Sequence, residues 1–248
     1  MAQPIPATQA AGLKASCNQC SLSKLCLPIA VGDADIQRLE DIIQQGRSFS
    51  RGEAIFRQSE TARSCFAVRS GAVKTTILNA NGEEQVSGFF LPGEMIGLDS
   101  ISGGVYACSA YALERTSVCE LPMEHLEDLA RKLPTLQHHF FSLMSSEIQS
   151  SQQHAMLLSK NTAEERIAAL LLSLSSRFER RRLSSTRFNL PMARNDIANF
   201  LGLAVETVSR VMTRFQAQGL IQAKGREVEL LDMDSLQEVA LTFARCRG

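Results

Sequence analysis

The chain has 248 residues, with 26 Lys and Arg against 26 Asp and Glu, so its formal net charge is zero. With 44% apolar and 21% charged residues it is neither disordered nor collagen-like, and it is long enough for one large or two modest domains. The longest unbroken apolar run, residues 167–172, falls far short of a membrane span, and MAQPIPATQAAGLKASC lacks an apolar stretch ending in a cleavage site. A cytoplasmic address with no secretory signal and no membrane partner is therefore expected. There the seven cysteines would serve as thiols, metal ligands or redox groups rather than disulfides.

The first feature in chain order is Cys17-x2-Cys20-x5-Cys26. Cys119 lies far along the chain and can complete a set of four thiolates, which both zinc and iron–sulfur clusters accept. Zinc motifs more often come as two Cys-x2-4-Cys pairs, which are absent here. Spacing alone leaves a metal centre and unrelated thiols equally open, and does not choose the metal. Cys65, Cys108 and Cys246 are isolated and read as small buried hydrophobes or a tail thiol.

Nine of the 15 glycines lie between Gly46 and Gly104, and none between residues 105 and 201. Alternating segments at 64–69 and 72–78, and an Asn81-Gly82 hairpin turn, predict a β-roll or barrel over roughly residues 47–122. The glycine-free part reads as helix. One helix starts near Pro134 and carries Leu136, Phe140, Leu143, Met144, Ile148, Ala155 and Leu158 at helical spacing. A second begins after Asn161 or Thr162, with Glu164 and Glu165 in its first turn, and runs to about Arg180.

Charge then changes along the chain. Residues 177–226 hold 10 basic and 3 acidic side chains, a local +7 that suits a polyanion. Within it, ARNDIANFLGLAVETVSRVMTRFQAQ places Asp196, Ile197, Phe200 and Leu201 on a short helix, Gly202 at a turn, and Val205, Val208, Val211, Met212 and Phe215 on one side of a second helix. This is helix-turn-helix patterning, in which the second helix enters the DNA major groove. A turn at Lys224-Gly225-Arg226 between apolar segments predicts a β-wing. Glu206, Ser209 and Arg210 share one helix face and are candidates for base contacts: Arg pairs bidentately with guanine, and Glu accepts from cytosine N4. The plain alternative is an exposed Glu206–Arg210 helix pair. Arg194, Arg214, Lys224 and Arg226 are candidates for phosphate contacts. His125, His138, His139 and His154 lack zinc-hydrolase spacing, and neither a Walker-type loop nor a GxSxG elbow is present, so no enzymatic activity is expected.

The order of cysteine cluster, β-roll, long helix and DIANFLGLAVETVSRVMTRFQ resembles the FNR subgroup of the cyclic-AMP-receptor-protein (CRP/FNR) superfamily, from Cys17 to about Leu236. The resemblance implies an α+β protein: a cysteine-rich segment (1–30), a cyclic-nucleotide-binding-like β-roll or jelly roll (31–132), a dimerisation helix (133–160) and a winged helix-turn-helix (161–248). It implies that Cys17, Cys20, Cys26 and Cys119 hold a [4Fe-4S] iron–sulfur cluster. It further implies that the cluster promotes homodimerisation and binding to double-stranded DNA at TTGAT-N4-ATCAA-like sites, and that molecular oxygen degrades it and releases DNA. Glu206, Ser209 and Arg210 match the subgroup's E-x-x-S-R reading motif. The turn around Leu78, Gly82 and Glu83 looks like a surface for RNA polymerase.

On the long helix Met144 and Ile148 are suited to anchor a dimer, whereas Ser151 and Ala155 bury little. Packing against the β-roll is the alternative for Met144 and Ile148. Ser151 stands where several family members carry an acid, and Ala155 where a larger apolar residue is usual, two departures with opposite effects on dimerisation.

Three rival functions share parts of this pattern. A cyclic-nucleotide regulator would use Gly93-Glu94 for the ribose, but Cys108-Ser109 supplies no arginine for the phosphate, leaving Gly93-Glu94 as an inherited turn. A zinc-stapled regulator would bind DNA regardless of oxygen. A thiol oxidoreductase built on Cys17-x-x-Cys20 would need that pair at a helix start.

Overall fold

A computed structural model describes residue 17, residues 19–32 and residues 35–245; Cys246 lies outside them. After a short 3-10 turn, Leu27–Ala30, comes helix α1, Ile36–Ile42. Eight strands follow: β1 Gln44–Phe49, β2 Ala54–Phe56, β3 Ser64–Ser70, β4 Val73–Leu78, β5 Glu84–Phe90, β6 Met95–Ile96, β7 Ser109–Ala112 and β8 Thr116–Pro122. Among the described residues they form two four-stranded antiparallel sheets, ordered β1-β8-β3-β6 and β2-β7-β4-β5. Alternating side chains fill the space between them: Phe49, Phe56, Phe66, Val73, Ile96 and Val118 form one buried cluster. Gly71 permits the tight β3–β4 turn. Its φ is +79°, and a Cβ there would sit 2.5 Å from Thr116 Oγ1.

Helix α2, Met123–Lys132, leads into α3, Pro134–Lys160, whose 27 residues make it the long helix expected from the apolar spacing. The base of α3 is buried through Leu136 and Phe140, in a core shared with Cys17, Leu27, Leu39 and Leu121. Further along, Ile148 (59% exposed) and Met156 stand in solvent. Helix α4, Ala163–Arg180, begins with a capping box: Thr162 Oγ1 accepts from Glu165 N–H, and the Glu165 carboxylate accepts from Thr162 N–H.

The C-terminal part contains β9 Arg187–Asn189, α5 Arg194–Leu201, α6 Val205–Ala217, β10 Ile221–Lys224, β11 Glu227–Leu230 and α7 Met233–Arg245. The expected wing gains a third strand, because β9 pairs with β11 to give the order β10-β11-β9. Three helices were not anticipated. α1 is only seven residues long, whereas Met123, Leu126 and Leu129 of α2 and Met233, Leu236 and Val239 of α7 recur at helical spacing, a signal the sequence carried.

Candidate functional site

Cys17, Cys20, Cys26 and Cys119 line one cavity, together with Leu22, Leu27, Pro28, Leu39, Leu121 and Arg69. Three of the cysteines come from a segment of tight turns, held by Cys20 N–H to Cys17 O (3.2 Å), Ser23 N–H to Cys20 O (3.1 Å) and Cys26 N–H to Leu22 O (3.0 Å). Cys17 N–H also donates to Glu40 Oε1 of α1 at 2.6 Å. Cys119 arrives from β8, where it pairs with Ala67 of β3. The cavity is about 30 Å³, room for roughly one water, so a larger group would have to part the 17–27 segment from β8. Among the described residues no three His, Cys, Asp or Glu side chains gather tightly enough for a single metal ion.

Burial dominates the electrostatics of this pocket. It pushes the Cys17 and Cys26 thiols up to about 12, and it raises Cys119 against the opposing charge of Arg69. Soft donors with apolar walls suit thiolate-bound metal, whose binding displaces the thiol protons. Redox nucleophiles need a lowered thiol pKa, the reverse of Cys17, and the Cys17 to Cys20 turn does not open a helix. Cys65 and Cys108 are buried, their thiols donating to Leu121 O and Asp99 Oδ2, so they pack as expected.

The second cluster of candidate residues lies on α6. Val208, Val211, Met212 and Phe215 are buried against Ile197, Ala198 and Leu201 of α5, and Gly202 makes the turn at φ +61°. This packing leaves Glu206, Ser209 and Arg210 on the exposed face. Among the described residues no ion pair joins Glu206 to Arg210. The Ser209 hydroxyl donates back to Val205 O at 3.0 Å.

The charged residues around α6 divide. Lys224 and Arg226 are exposed near the wing tip. Arg214 pairs with Glu164, and Arg194 is half-buried. Arg177 and Arg181 both bind Glu94, and Arg187 binds Glu227. The +7 of this block therefore overstates the charge free for a polyanion. Arg166 donates to Leu158 O (2.7 Å), Asn161 O (2.9 Å) and Leu201 O (2.9 Å), tying the C-terminal ends of α3 and α5 together. Sequence reading missed these roles because most of them join residues distant in the chain, 83 positions apart for Arg177 and Glu94 and 35 for Arg166 and Leu201. Glu94 also pairs with two arginines, a role beyond the turn expected for it.

Residues 165–239 match the Crp-like helix-turn-helix domain family, and residues 46–132 match the cyclic nucleotide-binding domain family. The chain is 51% identical over 227 residues to the transcriptional activator protein FnrA of Stutzerimonas stutzeri, covering 92% of this chain and 93% of that protein. The chain belongs to the CRP/FNR family of transcription regulators. It is also 40% identical to the fumarate and nitrate reduction regulatory protein of Escherichia coli K12, over 94% of this chain and 93% of that protein. The solved structure of FixK2 from Bradyrhizobium japonicum superposes with a TM-score of 0.74 at 30% identity, covering 80% of this chain and 97% of that one. As a CRP/FNR regulator the chain binds DNA through its helix-turn-helix, α5 and α6, and its relatives are regulators rather than enzymes. No helix among the described residues is long and apolar enough to cross a membrane.

Proposed function

We propose that this regulator responds to oxygen through a [4Fe-4S] cluster held by Cys17, Cys20, Cys26 and Cys119. The observation that carries the reading is the meeting of these four thiols at one apolar cavity, whose Leu27 and Leu121 belong to the same core as Leu136 and Phe140 of α3. When bound, the cluster supplies an oxygen-labile centre. The thiolates fix the order of residues 17–27 against β8, and the shared core passes that order to the base of the dimer helix.

The exposed stripe of Phe141, Ile148 and Met156 is then covered by a second copy of the chain. At 59% exposure Ile148 does not pack on its own β-roll. Beside the stripe, Ile101, Met123, Phe140, Phe141 and Met144 line a groove of about 270 Å³ that extends the same surface. Ser151 and Ala155 add little area to this seam, which suits a switch, since a few kcal/mol moves its population. The two copies present their α6 helices to half-sites one DNA turn, about 34 Å, apart. Arg210 reads the guanine of TTGAT, Glu206 accepts from the complementary cytosine N4, and Ser209 hydrogen-bonds a neighbouring base. Lys224, Arg226, Arg214 and Arg194 serve the phosphates, the last two after leaving Glu164 and a half-buried site. The β4–β5 tip, with Leu78 exposed beside Gly82 and Glu83, faces RNA polymerase. The fumarate and nitrate reduction name of the E. coli relative supports an anaerobic role, and the protein acts in the cytoplasm.

Anaerobic purification with iron, sulfide and visible-absorption analysis, followed by operator shifts before and after air, tests this. Brown, dimeric protein that loses both colour and operator binding in air is expected. Colourless protein that binds the operator equally with and without air overturns it, and bound zinc or a cyclic-nucleotide response would identify which rival replaces it.

A further inference from the structure

The helix-turn-helix is docked on the β-roll of its own chain through a set of polar contacts that neither half satisfies alone. Glu94, in the turn between β5 and β6, accepts through Oε1 from Arg177 Nε (3.0 Å) and Arg181 Nη2 (2.6 Å). Its Oε2 accepts from Arg177 Nη2 and from Leu91 N–H. The same guanidiniums reach backbone carbonyls of the β-roll, Arg177 to Phe89 O (2.6 Å) and Arg181 to Pro92 O (2.7 Å). The side chains of Arg177 and Arg181 are only 17% and 6% exposed.

Two further contacts lie nearer α6. Lys74 of β4 pairs with Asp196 of α5 at 2.7 Å. β5 is an edge strand, and Asn199 of α5 completes it by accepting from Val86 N–H (2.5 Å) and donating to Glu84 O (2.8 Å). Phe89 of β5 packs on Phe200 of α5 with ring centroids 5.0 Å apart.

A screened surface pair contributes little, but this carboxylate and its arginines are largely buried. Burying charges is costly, so such a network is a weak source of stability and a strong source of uniqueness: any other docking leaves two guanidiniums or a carboxylate without a partner. None of these contacts involves α6, whose Glu206, Ser209 and Arg210 remain exposed while it is held through the α5–α6 core. A reader of two half-sites loses affinity when its helices swing, because their separation must match the DNA repeat.

We propose that Glu94 is a positioning residue for DNA recognition, which through Arg177 and Arg181 fixes the helix-turn-helix on its own β-roll and so sets where α6 points. This rests on α6 being the operator reader, and the first measurement does not depend on that.

The test uses the full-length, anaerobically prepared protein and its Glu94→Gln variant. Hydrogen exchange without DNA follows Val86 N–H, whose partner is Asn199, well away from the substituted side chain. Exchange at Val86 should rise at least tenfold, while α6 amides, iron content and dimerisation stay unchanged. In gel shifts operator affinity should fall about tenfold, with Glu94→Asp, which keeps the charge, recovering part of it. Unchanged exchange at Val86 overturns the docking role. Faster exchange at Val86 with unchanged operator affinity overturns the positioning role, and so does loss of α6 protection, which would mark a general folding defect. If the unsubstituted protein binds no operator, the reading of α6 fails, whereas the exchange result still decides the docking.

Discussion

The thiol pocket and the recognition helix are built on opposite plans. The pocket is assembled from two distant parts of the chain, a segment of turns and strand β8, and burial raises the Cys17, Cys26 and Cys119 thiols above their ordinary range. Under the proposed reading it is completed only when a cluster draws the thiols together. Helix α6 lies within 13 consecutive residues, packed by four buried side chains, with Glu206, Ser209 and Arg210, the proposed reading face, already exposed. A site that must sense a ligand benefits from being incomplete without it, whereas a site that must match a fixed DNA repeat benefits from rigidity.

The largest effect should come from breaking the pocket. Cys119→Ala removes the one thiol supplied by the β-roll; iron content, visible absorption and operator binding should all be lost, while far-UV circular dichroism stays that of a folded protein. Retained oxygen-sensitive operator binding would refute the contrast. On the other side, Arg210→Ala should cost about 1–3 kcal/mol of base discrimination without altering iron content. Binding measured against operators substituted at the guanine should show the preference relaxed at that base pair. Uniform weakening across sequences would reassign Arg210 to the phosphates.

Between the two sites stands α3. Ile148→Ser deletes an exposed apolar contact of the proposed seam and should weaken dimerisation by about 1–2 kcal/mol, read by sedimentation. A fall in monomer stability instead would mean that Ile148 packs within its own chain. Thr162→Ala removes the capping hydroxyl of α4 and should lower stability by about 1 kcal/mol in denaturant titration, without moving the absorption of the loaded pocket.

The smallest expected effect is a pH slope. His154 of α3 stacks on Phe200 of α5 with ring centroids 4.0 Å apart, and burial, with Arg166 adding to it, holds its pKa below the ordinary 6.5. The unfolded chain then binds the proton more readily than the folded one, so stability falls as pH drops below about 6.5. His154→Gln should flatten that part of the stability profile; an unchanged slope would assign it to another group.

Much of this was legible because it is written locally. Glycine distribution and Asn81-Gly82 outlined the β-roll, Glu164 and Glu165 marked the first turn of α4, and Gly202 separated α5 from α6. Cys17, Cys20 and Cys26 announced themselves by spacing, and Cys119 could be named as a possible fourth thiolate, but only the resemblance pointed to a cluster on all four. Helix α1 is too short to show a period, whereas the apolar spacing of α2 and α7 was present in the sequence.

The sequence by itself outlined the β-roll, the long helix α3, α4 and the exposed face of α6, because these follow from periodicities and turn signals of a few residues. Tertiary structure decided which charges are free. Arg177, Arg181 and Arg214 look alike in a basic stretch, yet two are consumed by Glu94 and one by Glu164. A charge interacts through space, and its nearest partner is chosen by packing rather than by position in the chain.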